Sequence, residues 1–362
     1  MNAARTRRAE EALLGAALHR PASLPSMRWL PAGAFASPEL GALWSTLQSL
    51  DLSRIARNDI PAAVTAAVAQ LEDQGVRTLL TPTRLGQIAG ACPDPATAPL
   101  YGGMVVESAI HRSVEHAGQQ LQTAAEQADT DQARPTLDQV TSTGNRLGAL
   151  GAAWTAVPET VRTLLDTPAE APLHLASRTG RLRTDPQAEH DTVASLLRQP
   201  GQLPEVTSWL RAKDFSDPRL GAAYQAMAVL DTRHAPIDPL TVGWELARRP
   251  GPQPSDQLLA ELEQSGTGGG ASFFGAQVLG TAALDRLHTA ASDLRSIGRH
   301  PQLAPTAVLD SAQAALQPAA ADRDRLHQVE HSREMAPADQ EPAPAAHAPE
   351  MPSPDHEMEM DL

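Results

Sequence analysis

One short stretch of this 362-residue chain occurs twice. Residues 34–44 read AFASPELGALW, and residues 214–224 read DFSDPRLGAAY. At an offset of 180 positions the two stretches share a phenylalanine, a proline, a leucine and a glycine, and each ends on an aromatic residue. In both, a short polar side chain precedes the proline, a pattern that begins helices. The repeat therefore requires the same helix start at two places in the chain.

Apolar residues follow each of these starts at helical spacing, and a second pair of segments repeats upstream. The upstream segments read AEEALLGAALHRP at 9–21 and AEHDTVASLLRQP at 188–200, an offset of 179. Matched apolar positions are best explained as core. We predict these core residues: Leu14, Leu18, Phe35, Leu40, Trp44 and Leu47 in the first copy, and Val193, Leu197, Phe215, Leu220, Tyr224 and Met227 in the second.

The composition favours helix throughout. Only 3% of the residues are aromatic, and Ala, Leu, Gln, Glu and Arg dominate, residues that lose little side-chain freedom in a helix. No stretch alternates in the way that strands do. Residues 98–114 and 271–287 also align, and each begins a long helical pattern that turns and returns. We predict an all-α fold of two similar helical bundles, each ending in a long hairpin.

The repeats divide the chain into four parts. The first copy spans 8–150 and the second 186–328, with a proline-containing linker at 151–185 between them. The remaining residues, 329–362, are acidic and rich in Pro and Met. Such a segment has too little apolar surface to offset its ordering entropy, so we predict a disordered tail.

Charge and cysteine content exclude several classes of protein. The net charge is −14, of which −8 falls in 329–362, so the rest is mildly acidic. A DNA-binding protein normally needs a basic face, so we expect direct DNA binding to be weak or absent; the small cluster Arg178, Arg181 and Arg183 is the one candidate. The single cysteine, Cys92, is expected to be a passive thiol in a reducing cytoplasm. No run of apolar residues is long enough to span a membrane.

The order of motifs in the second copy is specific. AEHDTVASLL, FSDPRLGAAYQAM, PIDPLTVGWEL, a glycine-rich turn and FFGAQVL follow one another. This order resembles the N-terminal domain of DnaB-type replicative hexameric helicases. The resemblance covers 187–316 and, more loosely, 9–149, where the Asp-x-x-Thr-Val element (Asp238, Thr241, Val242) has no counterpart. It implies a small helical bundle with a protruding hairpin, which pairs through hairpins into a collar on the helicase ring.

The resemblance also implies function. In that family the collar contacts primase and loading factors and does not hydrolyse ATP. The family's motor needs a loop of the form G-x-x-x-x-G-K-[ST], but the only lysine, Lys213, follows no glycine-rich loop, and the run GTGGGAS at 266–272 lacks a lysine. We therefore expect no enzyme activity and no cofactor. We expect protein–protein interaction in DNA replication, with a helicase, primase or helicase loader as partner and self-association through the hairpins.

Two alternatives remain at this point. The motif HQVEH (His327, Glu330, His331) has the spacing of an inverted zincin, in which two histidines bind zinc and a glutamate is the base. A third zinc ligand would have to come from the few residues that follow, so a solvated helix end explains the motif better. The other alternative is a helical scaffold without a replication role.

Two further tryptophans, Trp209 and Trp244, lie in apolar stretches and are predicted to be core residues.

Overall fold

The computed structural model describes residues 3–50, 81–166, 183–252, 254–265 and 270–335, together with 62, 64–66 and 69. These residues form helices and turns with no strand among them, which confirms the all-α prediction. No helix in this part of the chain has the length and apolarity to cross a membrane. The α-helices are α1 (Ala3–His19), α2 (Pro38–Ser49), α3 (Pro82–Gly90), α4 (Ala98–Gln127), α5 (Ala133–Thr155), α6 (Glu159–Leu165), α7 (Pro186–Arg198), α8 (Leu203–Trp209), α9 (Pro218–Thr232), α10 (Pro239–Ala247), α11 (Asp256–Gln264), α12 (Ala271–Arg299) and α13 (Pro305–Met335).

The repeated stretches begin helices in both places. Before α2, the Ser37 hydroxyl accepts a hydrogen bond from the backbone N–H of Leu40 at 3.4 Å. Before α9, the Asp217 carboxylate accepts one from the N–H of Arg219 at 2.8 Å. A proline follows each cap, where its missing N–H costs no helical hydrogen bond. The two helices therefore start by the same local chemistry.

The chain forms an N-terminal half, residues 3–166, and a C-terminal half, residues 183–335. In the first, α1 packs against α4 and α3. In the second, α7 packs against α12 and α11, and α9 packs against α10. Each half thus places a short amphipathic helix, α1 or α7, between its smaller helices and the first helix of its long hairpin.

The two hairpins, α4–α5 and α12–α13, pack into one four-helix bundle. The first helices run antiparallel, because the His111 ring lies 3.1 Å from the carbonyl oxygen of Gly298 while Thr130, just beyond α4, lies 3.3 Å from Thr281. The second helices are also antiparallel, since Trp154 near the end of α5 donates to Thr306 at the start of α13 at 3.3 Å. Every neighbour around the bundle is therefore antiparallel.

Two glycines bring α4 and α12 close together. A Cβ atom added to Gly118 would lie 2.7 Å from the carbonyl oxygen of Ala291, and one added to Gly298 would lie 2.5 Å from the backbone nitrogen of Glu115. Both distances are too short for a side chain. The helix pair depends on glycine at these positions for its close approach.

The predicted core residues lie in the interior, with one exception. Leu18 is only partly buried and packs against the outside of the core. The others are buried: Leu14, Phe35, Leu40, Trp44, Leu47, Val193, Leu197, Phe215, Leu220, Tyr224 and Met227.

The linker predicted at 151–185 begins too early. Helix α5 continues to Thr155 and α6 follows directly. Trp154, Val157 and Val161 are buried, and Val161 lies against Gly103 of α4. Apolar burial therefore holds the chain on the bundle beyond residue 150. Residues 167–182 of the predicted linker and residues 336–362 of the predicted tail lie outside the described residues, and α13 runs past the boundary at 328.

Candidate interaction surface

The aromatic residue of each repeat is fixed by the same hydrogen bond. The indole Nε1 of Trp44 donates to the carbonyl oxygen of Leu30 at 3.0 Å, and the hydroxyl of Tyr224 donates to that of Leu210 at 2.9 Å. The phenylalanine of each repeat packs beside this ring, with centroids 5.9 Å apart in the N-terminal half and 5.2 Å apart in the C-terminal half. The rings of Trp44 and Tyr224 have a structural role, because their polar atoms already form hydrogen bonds inside the core.

A buried glutamate supports each repeated helix start. The carboxylate of Glu10 accepts a hydrogen bond from the backbone N–H of Ala36. The carboxylate of Glu189 accepts from the N–H groups of Ser216 at 2.7 Å and Asp217 at 2.9 Å. Burial raises the pKa of the Glu10 carboxyl, although the Ala36 N–H opposes that shift. Both carboxylates accept hydrogen bonds from backbone N–H groups that precede a helix.

The C-terminal half contains a buried cluster of charges that joins three parts of the chain. The Asp214 carboxylate lies 2.6 Å from Nη1 of Arg325 and 2.9 Å from Nη2 of Arg286. Asp322 pairs with both arginines. Burial alone would raise the pKa of Asp214, but Arg325 and Arg286 outweigh it and hold that pKa below its ordinary value. The cluster ties the turn before α9 to α12 and α13.

Helix α10 carries two apolar side chains on the surface. Trp244 is 71% exposed and Leu240 is 79% exposed. The core position predicted for Trp244 is therefore wrong, whereas Trp209 is buried as predicted. The reason is helical geometry: Val242 and Leu246 already occupy the inner face, and residues two positions away point to the opposite side. The spacing in PLTVGWEL contained this signal, since four alternating apolar residues cannot share one helix face.

The exposed pair stands on a firmly anchored helix. The Asp238 carboxylate accepts from the N–H of Thr241 at 2.8 Å, and the Thr241 hydroxyl accepts from the N–H of Asp238 at 3.0 Å. Later in the helix, Glu245 pairs with Arg249 at 3.0 Å and with Arg233 at 3.1 Å. Hydrogen bonding from Arg249, together with Arg233, lowers the pKa of Glu245. The helix that carries Leu240 and Trp244 is thus held by side-chain contacts near both of its ends.

The HQVEH motif does not assemble a metal site in the described structure. His327 lies 3.2 Å from the Asp138 carboxylate, and Glu330 pairs with Arg134, both on α5. His331 is exposed. No group of three potential ligands occurs in the part of the chain that the structure describes. The motif joins α13 to α5 through polar contacts.

The remaining residues singled out from the sequence contact or adjoin other parts of the fold. Cys92 packs against Gly15, and burial raises the pKa of its thiol. Arg183 donates to the backbone carbonyl of Glu126 at 2.8 Å and to that of Ala128; Arg178 and Arg181 lie outside the described residues. Of the glycine run, 266–269 also lie outside, while Gly270 precedes α12. Lys213 lies in the short 3₁₀ turn before α9.

The comparison with protein families identifies one region. Residues 181–267 match the DnaB-like helicase N-terminal domain. The chain contains this domain. No curated protein and no solved structure matches the chain. The matched region runs from α7 to α11, so Trp244 and Leu240 belong to the DnaB-like domain, while the hairpin α12–α13 follows it.

Proposed function

We propose that this protein is a non-catalytic interaction protein of DNA replication, which binds a replicative helicase, its primase or its loader. The observation that carries the proposal is the DnaB-like domain at 181–267, whose surface presents Leu240 and Trp244. The sequence contains no G-x-x-x-x-G-K-[ST] loop, so the activity proposed for this chain is binding and not ATP hydrolysis.

We further propose that the N-terminal half is a second, diverged DnaB-like domain. Three matched contacts support this: the buried aromatic hydrogen bonds, the buried glutamates and a close glycine contact. A Cβ on Gly41 would lie 2.7 Å from the Ala32 carbonyl oxygen, and one on Gly221 would lie 2.6 Å from that of Ala212. Each pair is related by the offset of 179 or 180 residues seen in the repeats. Backbone contacts at the same offset are the expected trace of a duplicated fold.

The bundle supports a paired arrangement within one chain. The Arg295 guanidinium donates to the amide of Gln122, and Gly118 meets Ala291. In both contacts the partners are 173 positions apart, the offset that aligns α4 with α12. Such positions touch their own counterparts only near a two-fold axis. The chain would thus supply both members of a hairpin pair.

The test is binding of purified helicase, primase and loader to the full chain, measured by titration calorimetry at about 0.15 M salt. We expect one of them to bind, and Trp244→Ala to weaken that binding at least about tenfold, because buried aromatic anchors dominate interfaces. Leu240→Ala should have a smaller effect in the same direction.

The matched control is Phe273→Ala. Phe273 is also an exposed aromatic residue, at 52% exposure, but it lies outside the matched domain. We expect this variant to bind as the unmodified chain does. Failure of all three proteins to bind would overturn the replication proposal. Binding that Trp244→Ala and Phe273→Ala leave equally unchanged would place the interface elsewhere.

A further inference from the structure

A cavity in the N-terminal half occupies the place of the charged cluster in the C-terminal half. The repeat alignment matches Asp214 with Ala34, and the hairpin alignment matches Arg286 with Ser113. Counting from the first residues of α13 and α5, Asp322 and Arg325 correspond to Leu150 and Ala153. All four counterparts line one cavity of about 560 Å³. The N-terminal half thus has uncharged side chains at these four positions and open space between them.

The cavity has an apolar interior and a basic rim. Trp29, Ala117 and Leu147 form part of its wall, and Arg28, His116 and Arg146 lie at its edge. Among the described residues that line it, none is Asp or Glu. Among the described residues, Arg146 donates to Gln120 and Thr143, and both of these partners are uncharged. The site therefore suits an apolar ligand that carries negative charge.

A second cavity nearby has a different character. It lies between α5 and α13, has a volume of about 660 Å³, and is lined by Asp310 as well as by Arg162 and Arg323. Its rim thus carries both signs of charge. A ligand with several negative charges therefore fits the charge of the cavity beside Trp29 better than the charge of this second cavity.

One segment of the chain has the required chemistry. Residues 357–361 read EMEMD, in which Met358 and Met360 alternate with three carboxylates. Residues 336–362 contain seven acidic residues and no Lys or Arg. In an extended segment alternate side chains point to opposite sides, so both thioethers would face the cavity while the carboxylates face its rim. Methionine fills irregular apolar space and makes favourable contacts with aromatic rings.

The segment is within reach. Glu330 of α13 pairs with Arg134 of α5, and the cavity is bordered further along α5 by Leu147, roughly 20 Å away at 1.5 Å per helical residue. The chain from Met335 to Met358 extends up to about 75 Å, at ~3.3 Å per residue. Tethering at this length gives a high effective concentration, so weak contacts suffice.

We propose that residues 357–361 dock in the cavity beside Trp29 of their own chain, with Met358 and Met360 inside and the carboxylates on Arg28 and Arg146. The contact would fill the space that the charged cluster fills in the C-terminal half. It does not depend on a replication partner, and its test uses the protein alone.

The experiment is methyl NMR of the full chain labelled at its methionine methyl groups, with Met358→Leu and Met360→Leu spectra for assignment. We expect both methyl signals to be displaced from their positions in urea by the ring of Trp29. Ala153→Leu, which fills the cavity, should return them to the urea positions. Gly144→Leu, directed at the second cavity, should not.

Charge variants keep the test decisive if Ala153→Leu fails to fold. Glu357→Lys with Glu359→Lys changes only the segment, and Arg28→Glu with Arg146→Glu changes only exposed rim residues; each pair should release both methyl groups, as should about 1 M salt. Signals at the urea positions in the unmodified chain would overturn the proposal. So would displaced signals that neither charge pair moves, or displacement that disappears on dilution, which would assign the occupant to a second copy.

Discussion

The two halves of this protein hold the same backbone contacts around different interiors. Each caps its repeated helix with a serine or aspartate, supports it with a buried glutamate, and fixes an aromatic residue by a hydrogen bond 14 positions back. At the matched positions, the C-terminal half has the charged cluster of Asp214, Arg286, Asp322 and Arg325, of which all but Arg286 are fully buried. The N-terminal half has a cavity there.

The difference separates the contacts that both halves share from those that one half has. Each shared contact serves an otherwise unpaired backbone N–H or C=O group, so losing one leaves a buried donor or acceptor unsatisfied. A charged cluster can be replaced as a unit by uncharged residues, often without loss of stability, although removing one member alone is costly. The N-terminal half has the uncharged set at all four positions.

The largest effect is expected from breaking the cluster at one member. Arg325→Met should lower the free energy of unfolding by about 3–5 kcal/mol, because Asp214 and Asp322 would remain buried with Arg286 alone. Urea denaturation at pH 7 measures this. The control is Arg323→Met, two residues away on α13, where the pair with Asp324 is at the surface; it should cost less than about 1 kcal/mol.

The cluster also predicts a pH dependence. Because the pKa of Asp214 is lowered in the folded protein, its contribution is present above the unfolded pKa and is lost as the pH falls through the folded pKa. The unmodified chain should therefore lose stability in acid more steeply than Arg325→Met. Equal acid sensitivity of the two would contradict the role assigned to Arg325.

The next effect concerns the contact that joins the halves. Gly118→Ala should destabilise the protein by about 1–3 kcal/mol, because the new Cβ would meet the Ala291 carbonyl oxygen and force α4 from α12. Gly144→Ala is the matched control on α5, where a Cβ meets nothing within 4 Å. It should stabilise by about 0.5–1 kcal/mol through helix propensity. Changes of the same sign at both positions would show that α4 and α12 are not in this contact.

How far the sequence predicts the fold depends on the range of each interaction. The helix starts at Pro38 and Pro218 were predictable because caps and prolines act within a few residues. The charged cluster was not, since Asp214 and Arg325 meet only after the hairpin folds. Trp244 was predictable in principle from the alternating spacing on α10, but its aromatic character favoured a core interpretation. The cavity beside Trp29 becomes visible only when one half is compared with the other.

A smaller effect is expected at a titrating group that only one half has. Burial, with a contribution from Asp166, raises the pKa of Glu107 to about 7; the aligned residue of α12 is Gly280. The folded protein therefore holds a proton between pH 4.5 and 7 that the unfolded chain releases, and its stability falls as the pH rises through this window.

Glu107→Gln should remove that loss. We expect it to raise the unfolding free energy by roughly 1–2 kcal/mol at pH 8 and to change it little at pH 5. Urea denaturation at both pH values measures the difference. A variant whose stability falls between pH 5 and pH 8 as steeply as that of the unmodified chain would assign the dependence to another group.

The smallest effect tests the two-fold relation between the hairpins at their surface. Arg299 lies 2.7 Å from Glu115, and the positions related to them by the same alignment, Glu126 and His288, lie 3.7 Å apart. A double-mutant cycle with Glu115→Gln and Arg299→Gln should give a coupling of about 0.2–1 kcal/mol that weakens with salt, because both side chains are partly exposed. The cycle with Glu126→Gln and His288→Gln should give a smaller coupling, because these two groups lie farther apart, at 3.7 Å. A coupling there as large as that between Glu115 and Arg299 would mean that the distance between the charged groups does not set its size.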